Sequence, residues 1–377
     1  MRLIDLTDLP SPMRKGAHHM LQQMRAVPVW GQVARAQTGS GPQVAFLPSK
    51  GRTQSSLLRI YNVADGLRAL GWRTLVVPWT LTLPQRRAAL SRFDPDLVVV
   101  QGARHALNRP HLYARWPIVY DMDDADFHIA HLAEPVAQAM PQVAAVIAGS
   151  SYIADWCRTA GAPAASVVWT GTPVSTAPRP PQKMRPPVVA WAQTRPDAYA
   201  REAQLVRQVM ARVADVHPGA RLRLYDRQSQ QDPAFLDSFK APGLDVEWRA
   251  RMSYEEYLAS FDDVAVSLAP LCPETLFSRG KSFGKVLAAL DRKVPVVGSD
   301  VCEHGAFFQP DTGIITNKVD HWVSSIADLL ARPDRRQQMA DKAFDAFVGQ
   351  LTVEAAAKRT SAILHDVKSR ALQRIPA

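Results

Sequence analysis

The chain has 377 residues, more than one comfortable hydrophobic core, which points to two domains of ordinary size. With 47% hydrophobic and 21% charged residues it reads as globular rather than disordered or fibrous, and its longest apolar runs, such as 143–148, are too short for a membrane-spanning helix. The net charge of +10 favours anionic partners such as nucleotides or phospholipid surfaces, and three widely spaced cysteines, Cys157, Cys272 and Cys302, suit neither a disulfide framework nor a metal knuckle.

Residues 1–41 form an extension outside the pattern that follows. Asp5, Asp8 and the lack of a long apolar core make a poor signal peptide, so a cytoplasmic location is expected. A helix over 17–36, interrupted at Pro28, is expected to pack on the next domain. Residues 42–172 alternate strand-like and helical segments. Strands are expected at 43–48, 72–78, 96–101, 117–121, 143–148 and 166–170, with a helix over 55–70 ended by Gly71. Such alternation predicts a parallel sheet wrapped on both faces.

The proline-rich run 173–187 breaks helix and ladder alike and is the expected linker. Residues 188–350 then repeat the architecture. Strands are expected at 188–193, 221–225, 244–248, 264–268, 294–298 and 313–316, and helices at 198–216, 254–260, 281–291 and 321–330. A final helix over 351–377 is expected to cross back to the first domain. The fold class is therefore α/β: two Rossmann-like, doubly wound domains facing across a cleft, with ligands at the carboxyl ends of the strands.

The run 267–300, SLAPLCPETLFSRGKSFGKVLAALDRKVPVVGSD, carries most of the chemistry. Read with a helix starting at Lys281, it puts Lys281 and Lys285 on one helix face, with Ser282 beside the free N–H groups, an arrangement suited to a diphosphate. Earlier, WAQTRPDAYAR ends a strand with Arg195 and opens a helix with Arg201, two forked cations that could join the same site. In YDMDDADF, Asp123 and Asp124 follow a strand and face the cleft, where a carboxylate could act as base on an acceptor hydroxyl. The loop PSKGR offers Gly51 and Arg52 after the first strand. No G-x-G-x-x-G is present, which argues against an ordinary NAD-dependent dehydrogenase.

These motifs resemble the GT-B glycosyltransferases of the family-four, "group 1" kind. Pro270-Leu271, Lys281-Ser282, Lys285, the strand from Pro295 to Ser299 and the later Thr312-Gly313-Ile314 carry the likeness. The resemblance implies a retaining transfer of sugar from a nucleotide-sugar donor to a glycan or lipid-linked acceptor of a bacterial cell surface. It implies no cofactor and no metal, and it allows peripheral contact with the inner face of the membrane. No basic-aromatic motif points to nucleic acid. Donor diphosphate would be bound by Arg195, Arg201, Lys281, Ser282 and Lys285. Gly51, Arg52, Glu274, Phe283 and Gly284 would form the donor and acceptor loops. Asp123 stands where the family has a histidine, and Asp124 where it has an aspartate. The chain departs from the family at the glutamate that binds the nucleotide ribose, where Ala288 or Ala289 stands, and at the glycine before the P-V-V strand, which is Lys293. A GT-B nucleotide-sugar epimerase and a degenerate nucleotide- or partner-binding member are the rival readings.

Overall fold

The computed structural model describes residues 29–373 apart from 37, 53, 227–231 and 302. Most of the expected extension, and its break at Pro28, lies outside the described residues. The helical residues 29–36 rest on the first domain, with Val29 and Val33 fully buried in its core.

The first sheet is built from β1 (Gln43–Leu47), β2 (Arg73–Val76), β3 (Leu97–Gln101), β4 (Ile118–Met122), β5 (Ala145–Ala148) and β6 (Ala165–Val167), in the order β2-β1-β3-β4-β5-β6. All pairings are parallel. β3, β4 and β5 are buried on both faces because helices cover both, which is why they read as largely continuous apolar runs and not as alternations. The second sheet comprises β7 (Val188–Ala192), β8 (Arg221–Tyr225), β9 (Asp245–Arg249), β10 (Val264–Ala269), β11 (Val296–Gly298) and β12 (Ile314–Ile315), again all parallel, in the order β12-β11-β10-β7-β8-β9. Each order reverses direction once, between β1 and β3 in the first sheet and between β7 and β10 in the second. Those switch points open a crevice at the strands' carboxyl ends.

Between the sheets, residues 173–187 are packed rather than loose. Ser175 N–H donates to Asp291 Oδ1 (2.8 Å), and the buried Arg185 guanidinium donates to the carbonyls of Phe261, Val264 and Arg292. Prolines supply no donors here, so arginine and glutamine side chains do the fastening. The helix Val353–Gln373 returns to the first domain, where Ala356, Leu364 and Val367 join the core around Val44 and Phe46. It lies so close to the helix Asn62–Ala69 that a Cβ on Gly66 would stand 2.7 Å from Ala357 Cβ. The two crossings touch where Thr172 and Thr352 form a parallel backbone bridge.

One expected helix is corrected. Residues 281–286 are not helical, and the helix is only Leu287–Asp291. Phe283 is drawn into an aromatic cluster, 5.0 Å from the ring of Trp169 and 5.1 Å from that of Phe307, and this burial holds the segment in a non-helical turn. Lys293 adopts φ 54°, the left-handed conformation that glycine takes most readily. Its ammonium is anchored on Asp341 at 2.6 Å and lies over the ring of Phe344.

Candidate functional site

The crevice of the second domain is organised by the helix Ala200–Val216. Glu202 shares the helix stripe of Val206, Val209 and Val213, so it turns inward and is 2% exposed. Its carboxylate accepts from Cys272 N–H and Ser278 Oγ, both at 3.2 Å, and so ties down the loop after β10. Arg201, one residue earlier, points the other way. It is exposed and lies 3.8 Å from Glu274, which is exposed as well. Arg195 is likewise on the surface, donating to Asp197 at 2.8 Å. The expected convergence of these arginines with the lysines is therefore not what the fold produces. Each has an acidic partner on the rim.

The lysines do come together, but from a turn and not from a helix face. Lys281 Nζ sits 4.4 Å above the ring of Phe277 and reaches across to Asp124 Oδ1 at 2.5 Å. Lys285 Nζ is buried, lies 4.4 Å above the ring of Tyr199 and has no hydrogen-bond partner among the described residues. Burial, reinforced by the neighbouring charge of Lys281, pushes its pKa down to about 7. Ser282 is partly buried between them, and Gly284 is exposed with open space where a Cβ would stand. His304 is buried behind Phe283. Its Nδ1 donates to the carbonyl of Ser299 (3.2 Å), and burial holds its pKa near 4, so the ring is neutral.

The facing rim comes from the segment after β4. Asp123 Oδ1 accepts from Thr170 Oγ1 at 2.8 Å and lies 3.9 Å from Arg59. Arg59 is itself fixed by Asp121 and by the carbonyl of Val168. Asp123 is thus oriented, yet its side chain remains 26% exposed. Asp124 has a different environment. Burial opposes its ionisation, but Lys281 and Arg104 together hold its pKa down to about 2. It is an anion in an ion-pair network that also includes Asp126. The sequence reading groups Asp124 with Asp123, and the structure gives the two carboxylates different surroundings. Gly51 and Arg52 lie away from the lysines, beside Trp79 and Tyr61.

Several residues that join the domains carried no motif. Glu303 accepts from Ser151 N–H (2.6 Å), Ser151 Oγ (2.7 Å) and Trp169 Nε1 (2.5 Å), bringing a carboxylate to the amino end of the helix Ser151–Thr159. Ser150 Oγ donates to the carbonyl of Gly280 at 3.2 Å. A Cβ on Gly280 would stand 2.6 Å from Ala125 Cβ and 3.1 Å from its backbone nitrogen, so only glycine lets the rims meet. Gly280→Val is therefore expected to force the rims apart, at about 1–3 kcal/mol of stability in urea unfolding. It should also break the Lys281–Asp124 contact, visible as altered amide exchange over 122–126.

No protein-family model matches the chain, and no curated protein matches it. Solved structures do. Sucrose-phosphate synthase from Thermosynechococcus elongatus superposes with a TM-score of 0.62 at 13% identity, covering 88% of this chain and all of that one. Anabaena HepE, solved in complex with UDP and glucose, gives 0.61 at 14% identity over 86% of this chain and all of its own. A glycosyltransferase from Rickettsia africae gives 0.65 at 9% identity over 87% of this chain and 99% of its own. These neighbours are GT-B glycosyltransferases, and at such identities the likeness is one of fold. Two six-stranded parallel sheets, each wrapped by helices and matched across nearly the whole chain, give this protein the GT-B fold.

Proposed function

We propose that the protein is a nucleotide-sugar glycosyltransferase whose donor diphosphate is held by Lys285 and Lys281. The observation that carries this reading is Lys285: a buried ammonium without a hydrogen-bond partner among the described residues, at the switch point of a Rossmann-ordered sheet. A phosphate oxygen at that place would satisfy it. Lys281 would join by turning from Asp124 to the diphosphate, while Arg104 keeps Asp124 paired. In the transfer, the bond between the sugar's anomeric carbon and the phosphate oxygen breaks, and the nucleoside diphosphate leaves with the electron pair. The acceptor oxygen bonds to the anomeric carbon, and its proton goes to Asp123. The two ammonium groups stabilise the charge on the departing phosphate. Retention of configuration, a cell-surface glycan or lipid-linked acceptor, activity without metal, a cytoplasmic setting and peripheral membrane contact belong to the same proposal.

The sign of the pH dependence tests it. Lys285 is half deprotonated near pH 7 in the free protein, and a bound diphosphate must restore the proton. Between pH 7.5 and 9 the nucleotide's charge is constant. Affinity for a nucleoside diphosphate should therefore fall with rising pH, by up to about tenfold per unit. Lys285→Arg, always charged, should flatten the profile. A flat profile in the unchanged protein would remove Lys285 from the site.

A second reading is a nucleotide-binding protein without transfer activity, favoured by two alanines. Ala288 and Ala289 are both buried in the hydrophobic core, and one or the other stands where the resemblance calls for the ribose-binding glutamate. A product assay with donor and mixed acceptors separates the two, and an isomerised donor formed without acceptor would instead indicate an epimerase.

A further inference from the structure

A groove of about 730 Å³ runs along β2, the strand at the edge of the first sheet, on the outer side of that domain. Its volume is within the range of sites that enclose small organic ligands. One wall is the helix of residues 29–36, with Arg35. The other is the helix through Tyr61 and Asn62–Ala69, with Arg68. Trp72, Thr74 and Val76 line it from the strand side, and Arg52 and Trp79 stand at the end nearest the loop after β1.

Among its described residues the groove carries four guanidinium groups, from Arg35, Arg52, Arg68 and Arg73, against the single carboxylate of Asp65. Asp65 is already engaged by Arg68. Arg35 and Arg52 have no carboxylate partner among the described residues. A walled cleft with one sign of charge concentrates anions of the other sign, and guanidinium forks match carboxylate and phosphate geometry. The aromatic groups decide what kind of anion. Trp79 is 40% exposed and offers a single open ring. The ring of Tyr61 is covered by Arg52 at 4.8 Å. Successive nucleic-acid bases need a series of open ring faces. A glycan chain needs only one apolar platform, with its anionic groups spaced along the guanidiniums.

We propose that this groove binds the non-reacting length of an anionic glycan, a chain bearing uronate or phosphate groups, and that the acceptor of the proposed transfer is of this class. The assignment to an acceptor rests on the glycosyltransferase reading, whereas the anion groove itself does not. Remote binding of this kind holds an acceptor's reacting end in place.

The test is calorimetry on the full chain with hexameric oligogalacturonate, its neutral methyl ester, a glycerol-phosphate oligomer, inorganic phosphate and an oligo-dT strand. At least one of the two anionic oligomers should bind, and which one identifies the anionic group. That binding should weaken as salt is raised, and the neutral ester should bind at least tenfold more weakly. Arg35→Glu and the double variant Arg35→Glu/Arg68→Gln should lower the affinity tenfold or more, while binding of a nucleoside diphosphate stays unchanged. Equal binding of the neutral ester, tighter binding of oligo-dT or of inorganic phosphate, no binding of either anionic oligomer, or no loss in the variants would each overturn the proposal. The ester comparison and the salt series use the unaltered chain, so they stand even if a variant fails to fold. A nucleoside diphosphate titrated into the same samples keeps the two readings apart. Oligomer binding without nucleotide binding would leave the groove in place and remove the donor site.

Discussion

Lys285→Ala should weaken binding of a nucleoside diphosphate by tenfold or more and leave binding of the bare nucleoside nearly unchanged. The reason is the state of the free ammonium. It is buried over Tyr199 and has no hydrogen-bond acceptor among the described residues, so below pH 7, where it carries its proton, a charge-assisted bond is gained when phosphate arrives without another being broken. Such a bond contributes on the order of 1.5–3 kcal/mol. Lys281→Ala should cost less, because Lys281 must first leave Asp124, and the diphosphate gains only the difference between two ion pairs. Calorimetry with both ligands on both variants checks the ranking. Equal losses for nucleoside and nucleotide would indicate general damage and sink the phosphate assignment.

Asp123→Asn should lower the transfer rate by roughly 10²–10⁴-fold, the usual contribution of a positioned base, with little change in donor affinity. The amide can still accept the hydrogen bond from Thr170, so the fold around it should hold. Asp124→Asn is the informative contrast. Asp124 is held ionised near pKa 2 by its two cations, and its removal should free Lys281 and alter nucleotide binding more than the chemical step. Steady-state kinetics with separated kcat and KM distinguish the two roles. If Asp123→Asn keeps full turnover, Asp123 is not the base.

Most strands were legible because strands covered on both faces read as nearly unbroken apolar runs, and the edges of the expected spans moved by up to three residues, as at β6. Residues 281–286 show where local reading fails. Their spacing suits a helix, but Phe283 gains more from the cluster with Trp169 and Phe307 than the chain gains from another helical turn. Trp169 is over a hundred residues away, and nothing local announces it. Glu202 was readable in principle. It sits at helical spacing from Val206, Val209 and Val213, while Arg201 beside it falls on the outer face, so phase alone separates the buried acid from the surface cation. Glu303 had no such signature, since its partners Ser151 and Trp169 are brought to it only by the docking of the two domains. Lys293 stands in the left-handed conformation at the position where the resemblance calls for glycine, a backbone state that glycine takes most readily.

The bridge between Thr172 and Thr352 gives the molecule a mechanical character. Both chain crossings between the domains are thereby pinned side by side, so a movement of one domain against the other is expected to pivot there. Away from that bridge the rims are held by the Lys281–Asp124 pair together with Glu303 on Ser151 and Trp169 and Ser150 on Gly280. On the proposed function, a ligand that takes Lys281 would release one of these fastenings, so filling the crevice would be expected to loosen one rim from the other.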